Sequence, residues 1–369
     1  MEKKRLLTLA IVGLFLSGCG TATPNEESSA QSEVVSESQV ESSSESSVSA
    51  SEPTDEAASI MAYFPFEENV AYTYIGDGNE YMSYAKYPQY IEENRIQFLT
   101  NNGGTQIVEV LEYADGALTK VFERPETYFR ENTLDKTSEE SSTILLQEPL
   151  KVGTAWNSPS GSASEITAMD ATVETALGTY AAIEVTTTEE DTITKSYYAE
   201  GIGLVKETFT DTAGTYETSS TLDSREEGVP ETALVQAFYP DANVMGLEIA
   251  EVNVAFNTND VTRKTLTDLF KQIPDVEYGR LIPDSASINS LYLNEDGRVY
   301  VDFNKSLVTD MNAGSSGESL LLQGIVNTIG TYYGVEEVVL TVDNEPYESG
   351  HFSFDKDEAM RVDMGDVIE

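Results

Sequence analysis

The chain has 369 residues and sets 65 acidic against 21 basic side chains, a formal net charge of -44. So acidic a surface has no basic footprint with which to neutralise phosphates, which excludes nucleic acid as an expected partner. With one cysteine and one histidine, structural disulfides and Cys-ligated metal sites are excluded, and any histidine-dependent triad or zinc site would have to be built around a single imidazole.

The N-terminus carries Lys3, Lys4 and Arg5, then an apolar run from Leu6 to Leu16. That run is shorter than the roughly 20 residues of a spanning helix, so it predicts an export signal. Leu16, Ser17 and Gly18 then lead into Cys19, and small residues before a lone thiol resemble the lipobox of bacterial lipoproteins. The resemblance implies that residues 1–18 are removed and that Cys19 becomes a diacylated N-terminus, placing the protein on the outer face of the cytoplasmic membrane of a Gram-positive cell. Two or more acyl chains give a stable anchor where one gives marginal binding.

Residues 19–58 form a Ser- and Glu-rich stretch with no aromatic side chain. Such a composition buries too little apolar surface to offset its chain entropy, and it predicts a disordered tether with a span of roughly 35 Å.

From 59 to 223 the pattern is antiparallel β. Alternation is visible in Val70–Ile75, Gln106–Tyr113, Ala182–Thr186, Thr192–Tyr198 and Leu204–Phe209, with turn signals at Asp77-Gly78, Asn102-Gly103 and Asp115-Gly116. No helical period is evident there, so the expectation is an all-β domain: a meander sheet, a sandwich or an open barrel. The phrases Glu148–Trp156 and Tyr197–Lys206 are similar to phrases in bacterial envelope β-domains, which implies extracytoplasmic location.

A Glu-, Gly- and Pro-bearing linker is expected at 224–232, followed by a change of pattern. Strands are predicted at Leu234–Tyr239 and Leu247–Phe256. A helix capped by Asn259 or Asp260 should follow, with Leu266, Leu269, Phe270 and Ile273 at helical spacing until Pro274. A hairpin spans Ile288–Leu293 and Arg298–Phe303, a second helix covers about Ser316–Tyr333, and Glu337–Val342 returns as a strand. The order β-β-α-β-β-α-β predicts an α+β layer with both helices on one side of a sheet. Residues 357–369 read as an acidic tail.

Phe238-Tyr239-Pro240-Asp241, Leu281-Ile282-Pro283, Val299 to Asn304, Gly317-Glu318, Ile325 to Ile329, Val338 to Val342 and Gly350-His351 together resemble the GerMN domain, within a domain placed at 233–356. Ile273-Pro274-Asp275 departs from the Leu-x-x-Gly-Pro phrase of many members. The resemblance implies roles in sporulation, germination or envelope sensing, and association with envelope proteins or with further copies of the chain.

Chemistry is sparse in the residues. His351 is expected in a turn or at a sheet edge, and no Gly-x-Ser-x-Gly elbow occurs. Asp77–Glu80 and Asn294–Gly297 are the candidate calcium loops, but neither has the ligand spacing and both read as hairpin turns. Gly201-Ile202-Gly203 lacks a following helix and reads as a bend in a strand, not a phosphate cradle.

The first functional reading is therefore a non-enzymatic lipoprotein, without metal or cofactor, acting as an envelope interaction or assembly module. Arg263, Lys264 and Lys271 would form a small basic surface for partners. The alternative is a ligand-binding lipoprotein whose β-domain cups an apolar or peptidoglycan-derived molecule in a cavity lined by Tyr63, Phe64, Tyr72, Tyr74 and Trp156. A wall-polymer hydrolase acting through paired carboxylates is a weaker third.

Overall fold

The computed structural model describes residues 59–138, 142–273 and 279–368, all within one compact unit. Cys19, the lipobox and the tether lie outside the described residues.

A single helical turn, α1 (Ile60–Tyr63), opens the described chain, its N-terminus capped by Ser59. Twelve antiparallel strands follow: β1 (Val70–Asp77), β2 (Tyr84–Glu92), β3 (Arg95–Asn101), β4 (Gln106–Ala114), β5 (Ala117–Pro125), β6 (Thr143–Gln147), β7 (Ala155–Asn157), β8 (Ala163–Thr175), β9 (Gly178–Thr188), β10 (Thr192–Ala199), β11 (Gly203–Asp211) and β12 (Glu217–Glu227). Each pairs with its neighbour in the chain except β6 with β7, and β12 returns to pair with β1. The expected turns do the joining. Asp115 and Gly116 both take positive φ (52° and 71°) between β4 and β5, the geometry that a two-residue hairpin requires.

The edges β6 and β7 meet without a ladder. Ser160 N–H donates to the Ser142 carbonyl at 3.2 Å, Ile144 N–H to Ser158 Oγ at 2.9 Å, and Trp156 Nε1 to the Ile144 carbonyl at 3.0 Å. The sheet is thus a nearly closed barrel, with one seam stitched largely by side chains. Ile60 and Phe64 sit among its core residues, and Ala62 accepts the Gly201 N–H at 2.7 Å.

Strand β12 runs through Glu227, so the boundary expected after 223 falls inside a ladder. Beyond Gly228 come β13 (Glu231–Pro240), β14 (Leu247–Phe256), α2 (Thr262–Lys271), β15 (Ile288–Leu293), β16 (Val299–Phe303), α3 (Ser306–Thr309), α4 (Ser315–Tyr333), β17 (Glu337–Val342), β18 (Glu345–Pro346) and β19 (Ala359–Arg361). The predicted order of strands and helices is present, but the single expected sheet is two. Strands β13 and β14 pair only with each other, while β15, β16, β17 and β18 form the second sheet, with β16 and β17 parallel and β19 beside β17. The segment expected as an acidic tail is built into the fold, because Leu247 N–H donates to Asp366 O at 2.7 Å and Ile368 N–H to Leu247 O at 2.9 Å.

Helix α4 carries the core of this half, with Leu322, Ile325, Val326 and Ile329 fully buried. Gly324 permits its close approach to β13, since a Cβ there would stand 2.4 Å from the Phe238 carbonyl oxygen. Helix α2 is not capped as expected. Val261 occupies the cap position, Asp260 instead accepts from Asn257 N–H at 2.7 Å, and Asn259 accepts from Ile91 N–H of β2 at 2.9 Å.

That last bond belongs to an extensive contact between the barrel and the C-terminal half. Asn69 and Thr258 exchange N–H donors and side-chain acceptors, both at 2.8 Å. Arg130, on the loop after β5, is 2% exposed and ion-pairs with Glu231 of β13. Its guanidinium also donates to the carbonyls of Gln89 (2.6 Å) and Asn257 (3.0 Å) and stacks on Tyr90 and Phe256. Gln89 reaches Glu231 from a bulge in β2, where Pro88 interrupts the register.

Candidate functional site

Inward-facing positions on the first five strands and on β10 and β11 surround a cavity of about 250 Å³. Its wall alternates as a pleated strand dictates. Strand β1 contributes Tyr72 and Tyr74, β2 Tyr84 and Lys86, β3 Phe98 and Thr100, and β4 Glu109 and Leu111. Lys120, Leu145, Tyr198, Leu204 and Glu207 continue around it, and Phe64, just past α1, lines it as well.

The rings are fixed by one another and by the backbone. Tyr74 and Tyr84 stack at 4.5 Å between centroids, and the Tyr74 hydroxyl donates to the Leu204 carbonyl at 2.8 Å. Phe64 meets Phe98 and Tyr198 edge-on at 6.2 and 6.3 Å. Such offset and T-shaped contacts match the ring quadrupoles. The Tyr72 hydroxyl donates to Glu67 at 3.0 Å, and Arg225 grips the same carboxylate with two bonds of 2.7 Å.

Four charged groups share this aromatic wall. Lys86 ion-pairs with Glu109, and its ammonium stands 4.5 Å from the centre of the Phe98 ring. Lys120 pairs with Glu123. Burial works to raise the Glu109 carboxyl, but Lys86 and Lys120 outweigh it and hold the group below its ordinary value. Glu207 behaves in the opposite way. Burial raises its carboxyl, and the 2.8 Å bond from Ser196 Oγ and the more distant lysines do not compensate.

Three of the five aromatics named from the sequence, Phe64, Tyr72 and Tyr74, therefore converge on one cavity. The other two stand elsewhere. Tyr63 packs at the margin of the barrel core, and Trp156 closes the β6–β7 seam beside a shallow hollow with Thr167 and Thr186. Tyr84, Phe98, Tyr198 and all four charged groups were not among the residues named from the sequence. The signal was the inward parity of Lys86 with Tyr84 and of Glu109 with Leu111, obscured because Val108 and Val110 on the other face of β4 are also buried. Val110 packs with Tyr90, Val121 and Leu134 beneath the loop after β5.

In the C-terminal half, His351 lies in a turn and is 41% exposed by side chain, with Nδ1 2.5 Å from Glu318 Oε2. Tyr347 donates to the other Glu318 oxygen at 2.8 Å. Burial works to raise Glu318, but bonds from Ser349, His351 and Tyr347 bring it below its ordinary value. Both carboxylate oxygens are occupied, so this constellation ties the start of α4 to the 347–354 segment. Of the three basic residues on α2, Lys264 is exposed, Lys271 is half-buried, and Arg263 donates to the Ile288 carbonyl at 3.3 Å.

Asn79, in the first proposed calcium loop, caps a short 3₁₀ turn by accepting from Tyr81 N–H at 2.9 Å. In the second, Asp296 is gripped by Arg298 and Tyr300; burial opposes them, yet its carboxyl is lowered to about 2. Gly201, with φ of 73°, lies in the turn between β10 and β11, and Gly203, with φ of 99°, opens β11. Among the described residues no helix is long and apolar enough to cross a membrane.

Residues 228–348 match the Germane family model, described as sporulation and spore germination. This part of the chain is a GerM-like domain. No curated protein matches the chain. Among solved structures it is similar to the first GerMN domain of the sporulation protein GerM from Bacillus subtilis, at 15% identity and a TM-score of 0.27, over 34% of this chain and 97% of that one. A candidate lipoprotein from Clostridium perfringens is 16% identical with a TM-score of 0.24, over 36% of this chain and 87% of its own. A candidate exported protein with a YmcC-like fold from Bacteroides fragilis NCTC 9343 is 11% identical with a TM-score of 0.29, over 45% and 99%.

Proposed function

We propose that this chain is a lipid-anchored envelope protein, tethered through Cys19 on the outer face of the membrane, whose barrel holds a small molecule. The Germane domain presents the loaded barrel to envelope partners in sporulation, germination or wall processes. One observation carries the ligand reading: a cavity of about 250 Å³ walled by Phe64, Tyr72, Tyr74, Tyr84, Phe98 and Tyr198. A barrel serving only as a spacer would fill this volume with side chains, as close-packed interiors do. Apolar walls bearing a few fixed polar groups are the usual form of a small-molecule site. The protein acts as a binder rather than an enzyme, and the Arg130 network ties the barrel to the Germane domain.

The reading is tested by enriching small molecules from an envelope extract on the full chain and on Thr100→Trp, which places an indole in the cavity. The unmutated chain should retain a small molecule at near-equimolar amount by native mass spectrometry, and Thr100→Trp should not. Failure of the unmutated chain to retain any would overturn the ligand reading and return the chain to a pure assembly module. The Germane match supports that second reading independently of the cavity.

A further inference from the structure

The charge balance of the cavity narrows its occupant. Lys86 is neutralised by Glu109 and Lys120 by Glu123, each through a direct ion pair. Glu207 forms no ion pair among the described residues, and one oxygen accepts only the neutral Ser196 hydroxyl at 2.8 Å. Its carboxylate faces the same space as Tyr74, Tyr84 and Tyr198. Glu207 lies opposite Ser196 in the β10–β11 ladder, and Tyr198 follows two residues on from Ser196, on the same face of β10. An anionic guest would have to displace Glu109 or Glu123 from a lysine. A cationic guest displaces nothing. It would give a direct partner to Glu207, which Lys86 and Lys120 reach only from beyond ion-pair distance, and would meet electron-rich rings, the arrangement by which proteins hold ammonium ligands. Lys86 over Phe98 already shows a cation accommodated on this wall.

We propose that the cavity takes a compact organic ammonium group, its charge held by Glu207 against the rings of Tyr74, Tyr84 and Tyr198. This assignment rests on the ligand-binding reading of the barrel and names the class of its guest. The test compares choline with its neutral isostere 3,3-dimethyl-1-butanol, titrated into the full chain by calorimetry or ligand-observed NMR. Choline should bind at least tenfold more tightly, and Glu207→Gln should bring the two within about threefold of each other. The isostere comparison is made on the unmutated chain, so it holds even if Glu207→Gln folds poorly. Equal binding of the isosteres would overturn the ammonium assignment while leaving the cavity as a ligand site. Binding of neither would also overturn it, and retention from the envelope extract then decides separately whether the cavity is a site at all.

Discussion

Replacing Arg130 with Met keeps an apolar stem between Tyr90 and Phe256 but removes the guanidinium. The deletion takes away the pairing to Glu231, the donors to Gln89 O (2.6 Å), Asn257 O (3.0 Å) and Asp260 O (3.3 Å), and the ring stacking. Glu231, 8% exposed, is left with only the Gln89 amide. Removing one partner of a buried pair costs about 3–5 kcal/mol, because the other charge remains desolvated. Burial already holds the Glu231 carboxyl above its ordinary value against the opposing pull of Arg130. Without Arg130 it should rise further. A carboxyl raised in the folded state contributes stability below its unfolded value and loses it as pH climbs through the folded one, so the deficit should be larger at pH 8 than at pH 5. Urea unfolding can be followed by Trp156 fluorescence, which reports the barrel, and by far-UV circular dichroism, which is weighted to α2 and α4. The unmutated chain should give coincident transitions, whereas Arg130→Met should lose several kcal/mol and separate the two probes. Adding Glu231→Gln to Arg130→Met should recover part of the loss. A loss below about 1 kcal/mol with coincident probes would refute the claim that Arg130 couples the halves.

Other outcomes follow from the same structure. Glu207→Gln should gain stability relative to the unmutated chain as pH rises above about 4.3, because it removes a carboxyl that burial raises. Glu109→Gln should show the opposite sign, since a lowered carboxyl contributes stability above its ordinary value and loses it on acidification; matching pH profiles for the two would contradict the cavity electrostatics. Gly324→Ala should destabilise by about 1–3 kcal/mol through the clash with Phe238 O, measurable as a lowered urea midpoint at unchanged slope. Cys19→Ala should abolish palmitate labelling and release the protein from the membrane fraction, and retained labelling would end the lipoprotein reading.

Much of the fold was legible because its periods were clean. The segments Leu247–Phe256, Ile288–Leu293 and Glu337–Val342 are strands with the bounds that alternation and turn residues indicated. What stayed hidden depended on contacts distant in sequence. Helix α1 is a single turn held by Ser59, by Glu148 accepting the Ile60 N–H at 3.1 Å and by the Gly201 bond, too short to show a period. Glu318 stands in the first turn of α4, where an acid is ordinarily solvated, yet here it is buried and bonded by Tyr347 and His351 from a later segment. The cavity was half visible: aromatic residues on β1 announced an apolar wall, whereas Lys86, Glu109 and Glu207 had the composition of an exposed face. Only the joining of the two six-strand runs through β1 and β12, together with closure at the β6–β7 seam, turns their side of the strands inward.

The central claim is that this interior space is built to hold a guest. Methyl NMR spectra of the full chain, recorded with and without the envelope small-molecule extract, test it most directly. The cavity-lining Leu111, Leu145, Ile202 and Leu204 should shift, while Val121 and Leu134 beneath the outer loop, and Leu266 and Leu322 in the Germane core, should stay in place. Unmoved cavity methyls, or shifts spread equally over all three groups, would contradict it.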